Sequence, residues 1–121
     1  MLDAHVLRWW LANRRLSPRA PTAIGDPANE VMVSAAAAWE ISIKKSLGKL
    51  RAPDDLAFQL EQSGFRGLPI SIEHALTTGA SPRHHEDFFD RLLVAQALLE
   101  GLTVVTRDSR FAAYAIELLA A

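Results

Sequence analysis

Residues 88–108 read FFDRLLVAQALLEGLTVVTRD, and this stretch decides the fold class. Its first part, Phe88 to Glu100, is apolar on nearly every side, which predicts a helix buried between two layers. Gly101 then leads into Leu102–Thr106, a β-branched run that predicts a strand. A buried helix followed at once by a buried strand is typical of a parallel α/β sheet that is covered on both faces.

The rest of the chain continues this alternation of short strands and helices. We predict further strands at Glu30–Ser34, Phe65–Ile70 and Ile116–Leu119, and a strand stub at Met1–Asp3. We predict further helices at His5–Ala12, Ser17–Ile24 (with Ser17 as N-cap), Ala35–Leu47, Asp54–Gln62 (with an aspartate cap), Ser71–Thr78 and Ser109–Ala115. No repeat or linker interrupts the chain, so we predict a single domain, residues 1–121. Its predicted fold is α/β, a three-layer α/β/α sandwich with a central, mainly parallel sheet.

Composition excludes several classes of protein. Half of the 121 residues are hydrophobic and 22% are charged, which allows a core and argues against disorder. The chain has no cysteine, which excludes disulfides, thiolate zinc sites and cysteine nucleophiles and favours a reducing, cytoplasmic location. No apolar run reaches membrane length. Because the net charge is −1, any binding of nucleic acid must depend on local basic patches or on bound metal.

Four acids stand in otherwise apolar sequence: Asp3, Glu40, Asp90 and Asp108. Each lies at the end of a predicted strand or on the buried side of a predicted helix, where an unpaired carboxylate is costly. Asp3 and Asp108 belong to the carboxyl edge of the sheet, where functional groups collect in parallel α/β proteins. Converging carboxylates need a cation, so the pattern predicts a divalent metal and hydrolytic phosphate chemistry.

Each acid also has a local explanation when it is taken alone, and for Asp3 it is simply an acid at the end of a strand. Glu40 can form an i,i+4 ion pair with Lys44 on a solvated helix edge. Asp87 is placed to cap the long apolar helix, and Asp90 occupies its third position, near the positive end of the helix dipole. Asp108 can cap the segment that follows it. These roles leave metal binding open, because a carboxylate has two oxygens.

The histidines are less informative. Adjacent residues such as His84 and His85 do not face the same way on a helix, and no HExxH spacing is present, so we predict a surface loop here and not a zinc site. His74 is predicted on a helix surface, and His5 is near the acidic site by sequence. The GxGxxG, P-loop and GxSxG motifs are also absent, which disfavours nucleotide-cofactor and serine-hydrolase functions.

Four segments around the acids resemble the motifs of PIN-domain nucleases, specifically the VapC-type toxins of bacterial toxin–antitoxin modules. The likeness covers nearly the whole chain. Its most specific part is the run FDRLLVAQA. The matching segments are Leu2–Leu7, Val33–Lys44, Phe89–Ala97 and Thr106–Phe111, which place the family's acids at Asp3, Glu40, Asp90 and Asp108.

This resemblance implies a metal-dependent endoribonuclease that hydrolyses RNA phosphodiester bonds through a metal-activated water. The implied cofactor is Mg²⁺ or Mn²⁺, and the implied partners are a cognate antitoxin protein and a second copy of the chain in a homodimer. Thr106 is then expected to hold a water or the scissile phosphate. The candidates for contacts with the RNA backbone are Lys44, Lys45, Lys49, Arg51, Arg91 and Arg107.

Two other functions are weighed against the nuclease. A non-catalytic interaction module, whose acids accept basic residues of a partner, has the same sequence pattern. A phosphoacceptor receiver domain also gathers acids and Mg²⁺ on a parallel sheet. It would need a lysine after a late strand, where this chain has Arg107 and Asp108, so we disfavour it.

The amino-terminal segment carries two further expectations. Only two residues precede Asp3, fewer than in most family members, so either the start is trimmed or the acid is weakly held. In the second case the α-amino group is expected near the acids, with a raised pKa. The segment Val6–Leu11 is rich in aromatic surface, which predicts a groove for the antitoxin's helix or a homodimer seam. The alternative is that Trp9 and Trp10 belong to the core.

Overall fold

The computed structural model describes all residues, Met1–Ala121, as six α-helices, four strands and one 3₁₀ helix. The α-helices are α1 (Ala4–Leu11), α2 (Arg19–Gly25), α3 (Ala35–Ser46), α4 (Leu56–Gln62), α5 (Ile72–Ala80) and α6 (Phe88–Glu100). The strands are β1 (Met32–Ser34), β2 (Arg66–Leu68), β3 (Val104–Thr106) and β4 (Leu118–Ala120), and the 3₁₀ helix is Ser109–Ala113. None of the helices combines the length and the apolar character that a membrane span requires.

The sheet is parallel throughout and has the chain's first residues at its centre. Strand β1 pairs with β2, and β3 pairs with β4. Leu2 joins the two pairs, because it forms parallel bridges to Val33 of β1 and to Val105 of β3. The Asp3 amide donates to the Val105 carbonyl oxygen at 3.2 Å, and the Val105 amide donates to the Met1 carbonyl oxygen at 2.8 Å. The predicted parallel sheet, including its amino-terminal stub, is confirmed.

Both faces of the sheet are covered. Leu2, Val33 and Val105 lie side by side and pack in one hydrophobic cluster with residues of α1, α2 and α3. Val104 points to the opposite face, as alternation along a strand requires, and packs in a second cluster with α6. Helix α6 is buried along Leu92–Ala97. The predicted α/β fold is thus observed, with α6 buried against the sheet.

Several element boundaries differ from the predicted ones. Helix α6 has its predicted bounds and ends at Gly101, whose φ of 66° is a left-handed conformation that glycine adopts without strain. The strands have three residues each, shorter than predicted, and each of the pairs β1–β2 and β3–β4 is in register over only these three residues. Ser17 does not cap α2, because its hydroxyl donates to the Ala120 carbonyl oxygen at 2.8 Å. The Asp55 side chain at the start of α4 makes no capping bond either.

The α-amino group of Met1 lies at the opposite end of the central segment from the Asp3 carboxylate. It donates a hydrogen bond to the Thr103 carbonyl oxygen at 2.7 Å. Burial lowers its pKa from 8.0 to about 6. The expectation that this group lies among the acids with a raised pKa was therefore wrong, because the strand direction carries it away from them.

Candidate functional site

The carboxyl ends of the central strands bring four acids to one place. Asp3 follows the Leu2 bridge, and Asp108 follows β3. Glu40 comes from the middle of α3, and Asp90 from the first turn of α6. Asp3, Glu40 and Asp90 are at most 9% exposed. The pKa of Asp90 is raised in part by the charges of the other three acids. The four acids predicted from the sequence therefore share one electrostatic environment.

Asp90 belongs to two clusters of side chains that could hold a metal ion. In one cluster it lies with Glu40 and Asp87, and in the other with His85 and Asp108. Within each cluster the potential ligand atoms all lie within 4.8 Å of one another. Asp3 belongs to neither cluster, although its charge influences Asp90.

Asp3 is held by hydrogen bonds to both of its carboxylate oxygens. Oδ1 accepts from the Val6 amide at 2.8 Å and so caps α1. Oδ2 accepts from the Thr106 hydroxyl at 2.5 Å, and the same hydroxyl oxygen accepts from the Asp108 amide at 2.9 Å. The single hydroxyl proton of Thr106 is thus directed at Asp3. Thr106 links two acids of the site, and it is not a free donor for a water or a phosphate.

Glu40 forms the predicted ion pair with Lys44, but not on a solvated edge. Lys44 Nζ lies 2.5 Å from Glu40 Oε2, and the Glu40 side chain is only 4% exposed. The Lys44 side chain is about one-third exposed, and its pKa is raised first by the hydrogen bond to Glu40 and further by the charges of Asp87 and Asp90. The pair therefore places a partly exposed ammonium group at the margin of the acidic site.

Asp87 is also a member of the site, although its sequence position predicted only a helix cap. Its Oδ1 accepts from the Asp90 amide at 3.1 Å, which confirms the predicted cap of α6. The same carboxylate lies beside those of Glu40 and Asp90. The i,i+3 spacing of Asp87 and Asp90 was the signal, because residues three apart lie on the same face at a helix start.

His85 is a second member of the site, and the prediction of a surface loop was wrong for it. His84 is exposed, but the His85 side chain is fully buried. His85 Nε2 lies 2.9 Å from Asp108 Oδ2 and 3.0 Å from Asp90 Oδ2. The loop turns inward because the Tyr114 hydroxyl accepts from the His85 amide at 3.1 Å. The two residues are 29 positions apart, so no local pattern in the sequence indicates this contact.

Of the other two histidines, His74 lies outside this site, and His5 lies at its margin, where it lines a small pocket with Glu40 and Lys44. His74 was predicted on a helix surface but is buried: its ring forms a capping box with Ser71, and its Nε2 lies 2.9 Å from Glu100. His5 is exposed and contacts Trp9, with ring centroids 5.9 Å apart.

Burial and crowding shift the pKa values of the acids in different directions. The pKa of Asp90 is raised to about 8, first by burial and then by the charges of Asp87, Glu40, Asp3 and Asp108. Burial also raises the pKa of Asp3. The pKa of Asp108 is lowered, chiefly by the side-chain hydrogen bond from Arg110. The site thus contains more negative charge than its own residues neutralise.

A divalent cation fits this donor set. Carboxylate oxygens are the ligands that Mg²⁺ and Mn²⁺ prefer, and the site offers no thiolate. The raised pKa of Asp90 is the observation that points to a missing positive charge. The acidic cluster therefore could bind a metal ion.

Three of the basic residues predicted to contact RNA have other partners. Arg91 Nη2 donates to the carbonyl oxygens of two residues at the end of α5, at 2.8 and 3.1 Å. Arg107 Nε donates to the Ala121 carbonyl oxygen at 2.7 Å, and its guanidinium lies 4.5 Å from the centre of the Trp9 ring. Lys45 pairs with Asp54. Arg91 and Arg107 therefore hold the fold together, because their donors already serve carbonyl oxygens.

Comparison with known proteins agrees with the sequence motifs. Residues 1–117 match the PIN domain family. The chain is 32% identical to "Ribonuclease VapC22" of Mycobacterium tuberculosis (strain ATCC 25618 / H37Rv) over 114 residues, which cover 91% of this chain and 87% of that protein.

Solved structures share the fold at lower sequence identity. The crystal structure of VapBC2 from Rickettsia felis bound to a DNA fragment from its promoter is similar with a TM-score of 0.72 and 15% identity, over 99% of this chain and 96% of that one. FitAcB from Neisseria gonorrhoeae is similar with a TM-score of 0.68 and 22% identity, over 98% and 94%. A toxin–antitoxin complex from Klebsiella pneumoniae has a TM-score of 0.66 and 22% identity, over 92% and 88%.

Proposed function

Because the chain belongs to the PIN domain family, in its VapC branch, we propose that it is an endoribonuclease and the toxin of a toxin–antitoxin pair. Its substrate is RNA, its cofactor is Mg²⁺ or Mn²⁺, and its partner is a cognate antitoxin. A cytoplasmic location fits an enzyme that acts on cellular RNA. The ribonuclease name of the 32% identical relative supports the reaction, and the toxin–antitoxin complexes among the structural neighbours support the partner.

The environment of Asp90 is the observation in this chain that best supports the proposal. Asp90 lies at the junction of two acidic clusters, and its pKa is raised to about 8. Such a carboxylate is mostly protonated at neutral pH, and a bound cation favours its ionised form. The residues proposed to hold the ion are Asp3, Glu40, Asp90 and Asp108, with Asp87 beside them. When bound, a divalent ion lowers the pKa of a water and neutralises charge that develops on the phosphate.

The remaining side chains orient this site and face the substrate. Thr106 fixes Asp3 through its 2.5 Å hydrogen bond, so the carboxylate needs no reorganisation. Lys44 and Arg110 each contact an acid of the site while remaining partly exposed. They are the proposed contacts for the charged RNA backbone, together with the exposed Lys49 and Arg51.

Cleavage of RNA by the purified chain tests the proposal. We expect single-stranded RNA to be cut with Mg²⁺ or Mn²⁺ and to remain intact with EDTA. Glu40→Gln should reduce the rate strongly, because it removes a charge proposed to hold the ion, whereas Glu73→Gln on the exposed face of α5 should not. Metal binding without cleavage would instead favour a non-catalytic interaction module.

An apolar groove beside α1 is the proposed site for the antitoxin. It has a volume of about 380 Å³, and Trp9, Leu11 and Leu56 are among its apolar residues. Three arginines also line it: Arg8, Arg14 and Arg51. Val6 and Leu7 are fully buried, whereas Trp9 and Trp10 are only partly buried. An amphipathic helix with acids beside its apolar stripe fits this combination.

A charge reversal at the rim of the groove tests this interface. We expect Arg51→Glu to weaken binding of the cognate antitoxin at least about tenfold, because an acid then faces an acid in a partly desolvated contact. Lys49→Glu makes the same charge change two residues away but outside the groove. Titration calorimetry should show a near-normal Kd for Lys49→Glu, and equal losses in both variants would contradict the groove.

A homodimer is proposed through the outer face of α5. Ile72 and Leu76 are four residues apart on this helix and are 81% and 71% exposed, which is unusual for large aliphatic side chains. We expect Leu76→Lys to shift the chain from dimer to monomer in light scattering, with little change in melting temperature because the side chain is already exposed. A wild-type chain that is monomeric at high concentration would contradict this interface.

A further inference from the structure

The buried ring of His85 has a partner for every polar atom. Its backbone amide donates to the Tyr114 hydroxyl at 3.1 Å, and that hydroxyl donates to the Pro82 carbonyl oxygen at 2.8 Å. The Asp87 amide donates to His85 Nδ1 at 3.0 Å. On the other side of the ring, Nε2 faces carboxylate oxygens of Asp90 and Asp108. The orientation of the ring is thus fixed from both ends.

These contacts determine which nitrogen carries the proton. A backbone amide can only donate, so the lone pair of His85 Nδ1 must accept from Asp87. In the neutral ring the proton therefore resides on Nε2. It is donated to Asp108 Oδ2 at 2.9 Å, and Asp90 Oδ2 lies 3.0 Å from the same nitrogen. The ring consequently holds Asp108 by a hydrogen bond and places the same polar edge against Asp90.

We infer that His85 is a positioning residue that orients Asp90 and Asp108 toward the metal ion and does not itself bind the ion. This inference rests on the proposed metal-dependent function. Nε2 lies against one oxygen of Asp90, and the other oxygen of that carboxylate receives no hydrogen bond from the protein. Direct ligation through Nε2 would require the proton to move to Nδ1, where it would oppose the Asp87 N–H. Second-layer hydrogen bonds of this kind determine how well ligands are placed for a metal.

Two substitutions of His85 test the contacts of Nδ1 and of Nε2 separately. His85→Asn places an amide near the position of Nδ1, so it can still accept from Asp87 but does not reach the carboxylates. His85→Gln places an amide N–H near the position of Nε2, so it can still donate to Asp108 and lie against Asp90. Tyr114→Phe removes the hydroxyl that fixes the same loop, without removing any contact to an acid of the site.

The readout is the affinity for Mn²⁺, measured by titration calorimetry without RNA, with circular dichroism to establish that each variant is folded. We expect His85→Asn to weaken Mn²⁺ binding by about 10- to 100-fold, the range typical of lost second-layer contacts. His85→Gln should retain most of the affinity, and Tyr114→Phe should lower the melting temperature but leave Mn²⁺ binding nearly unchanged. A folded His85→Asn variant with wild-type affinity would overturn the inference.

The tautomer supplies an independent measurement. In ¹⁵N–¹H correlation spectra we expect His85 to carry its proton on Nε2 both before and after addition of diamagnetic Mg²⁺. A shift of that proton to Nδ1 on addition of Mg²⁺ would show that the ring is a ligand and would overturn the inference. Failure of the wild-type chain to bind Mn²⁺ would instead overturn the proposed function, and the role of His85 with it.

Discussion

Replacing Asp90 with Asn should abolish metal-dependent RNA cleavage and at the same time stabilise the metal-free protein at pH 8. Asp90 lies at the junction of both acidic clusters, so its loss weakens any ion held there. If about 4 kcal/mol of transition-state stabilisation depends on that ion, the rate falls by about a thousandfold. The pKa of Asp90 is about 8 in the native state, so a neutral amide avoids the cost of ionising a buried acid.

The loss of cleavage and the gain in stability are measured separately. Cleavage is measured as initial rates on RNA with Mn²⁺, and stability as the free energy of unfolding in EDTA at pH 8. Asp54→Asn is the matched control, because it makes the same chemical change at a side chain that is 99% exposed. If Asp90→Asn cleaves RNA at the parent rate, Asp90 does not hold a catalytic metal.

Metal-free protein should lose about 3 kcal/mol of stability as the pH rises from about 4 to about 6. Over this range Asp90 keeps its proton in the native state, with a pKa of about 8, but loses it in the unfolded chain, whose pKa is about 3.9. Above pH 6 the Met1 α-amino group, with a native pKa of about 6, opposes this trend and flattens the curve. Asp108 has a lowered pKa, so its contribution is lost only below pH 4.

Denaturant unfolding in EDTA at a series of pH values tests this expectation. Addition of Mn²⁺ should reverse the slope, because the ion competes with protons for the carboxylates and binds best where they are ionised. In Asp90→Asn the decline between pH 4 and 6 should be much smaller. A metal-free wild-type protein whose stability rises steadily from pH 4 to pH 8 would contradict the assigned environment of Asp90.

Local sequence patterns predicted the scaffold well. Helix α6 has its predicted bounds because an apolar run, an Asp87 cap and a terminal Gly101 all indicate the same limits. Parallel strands were predictable because short β-branched runs alternate with helices. The placement of Asp3 and Asp108 on one edge followed from the topology, since parallel strands end on the same side of a sheet.

The parts of the site that could not be predicted depend on contacts between distant residues. His85 is buried because Tyr114 holds its loop, and Arg107 is occupied because the backbone of Ala121 lies within its reach. Neither contact leaves a periodic or compositional signal. Asp87 was predicted as a helix cap, and that role already accounted for an acid at this position. Its second role, in the cluster with Glu40 and Asp90, was therefore not predicted.

The central position of the chain's first residues has a consequence for protein synthesis. Asp3 receives its hydrogen bond from Thr106, 103 residues later, and the first segment pairs with β3 through Val105. Translation produces Asp3 well before the neighbours that fix it, because Thr106 lies 103 residues later in the chain. The acidic site therefore cannot assemble on a partly synthesised chain. A ribosome that translates this protein is not exposed to a working nuclease until Thr106 and Asp108 have been made.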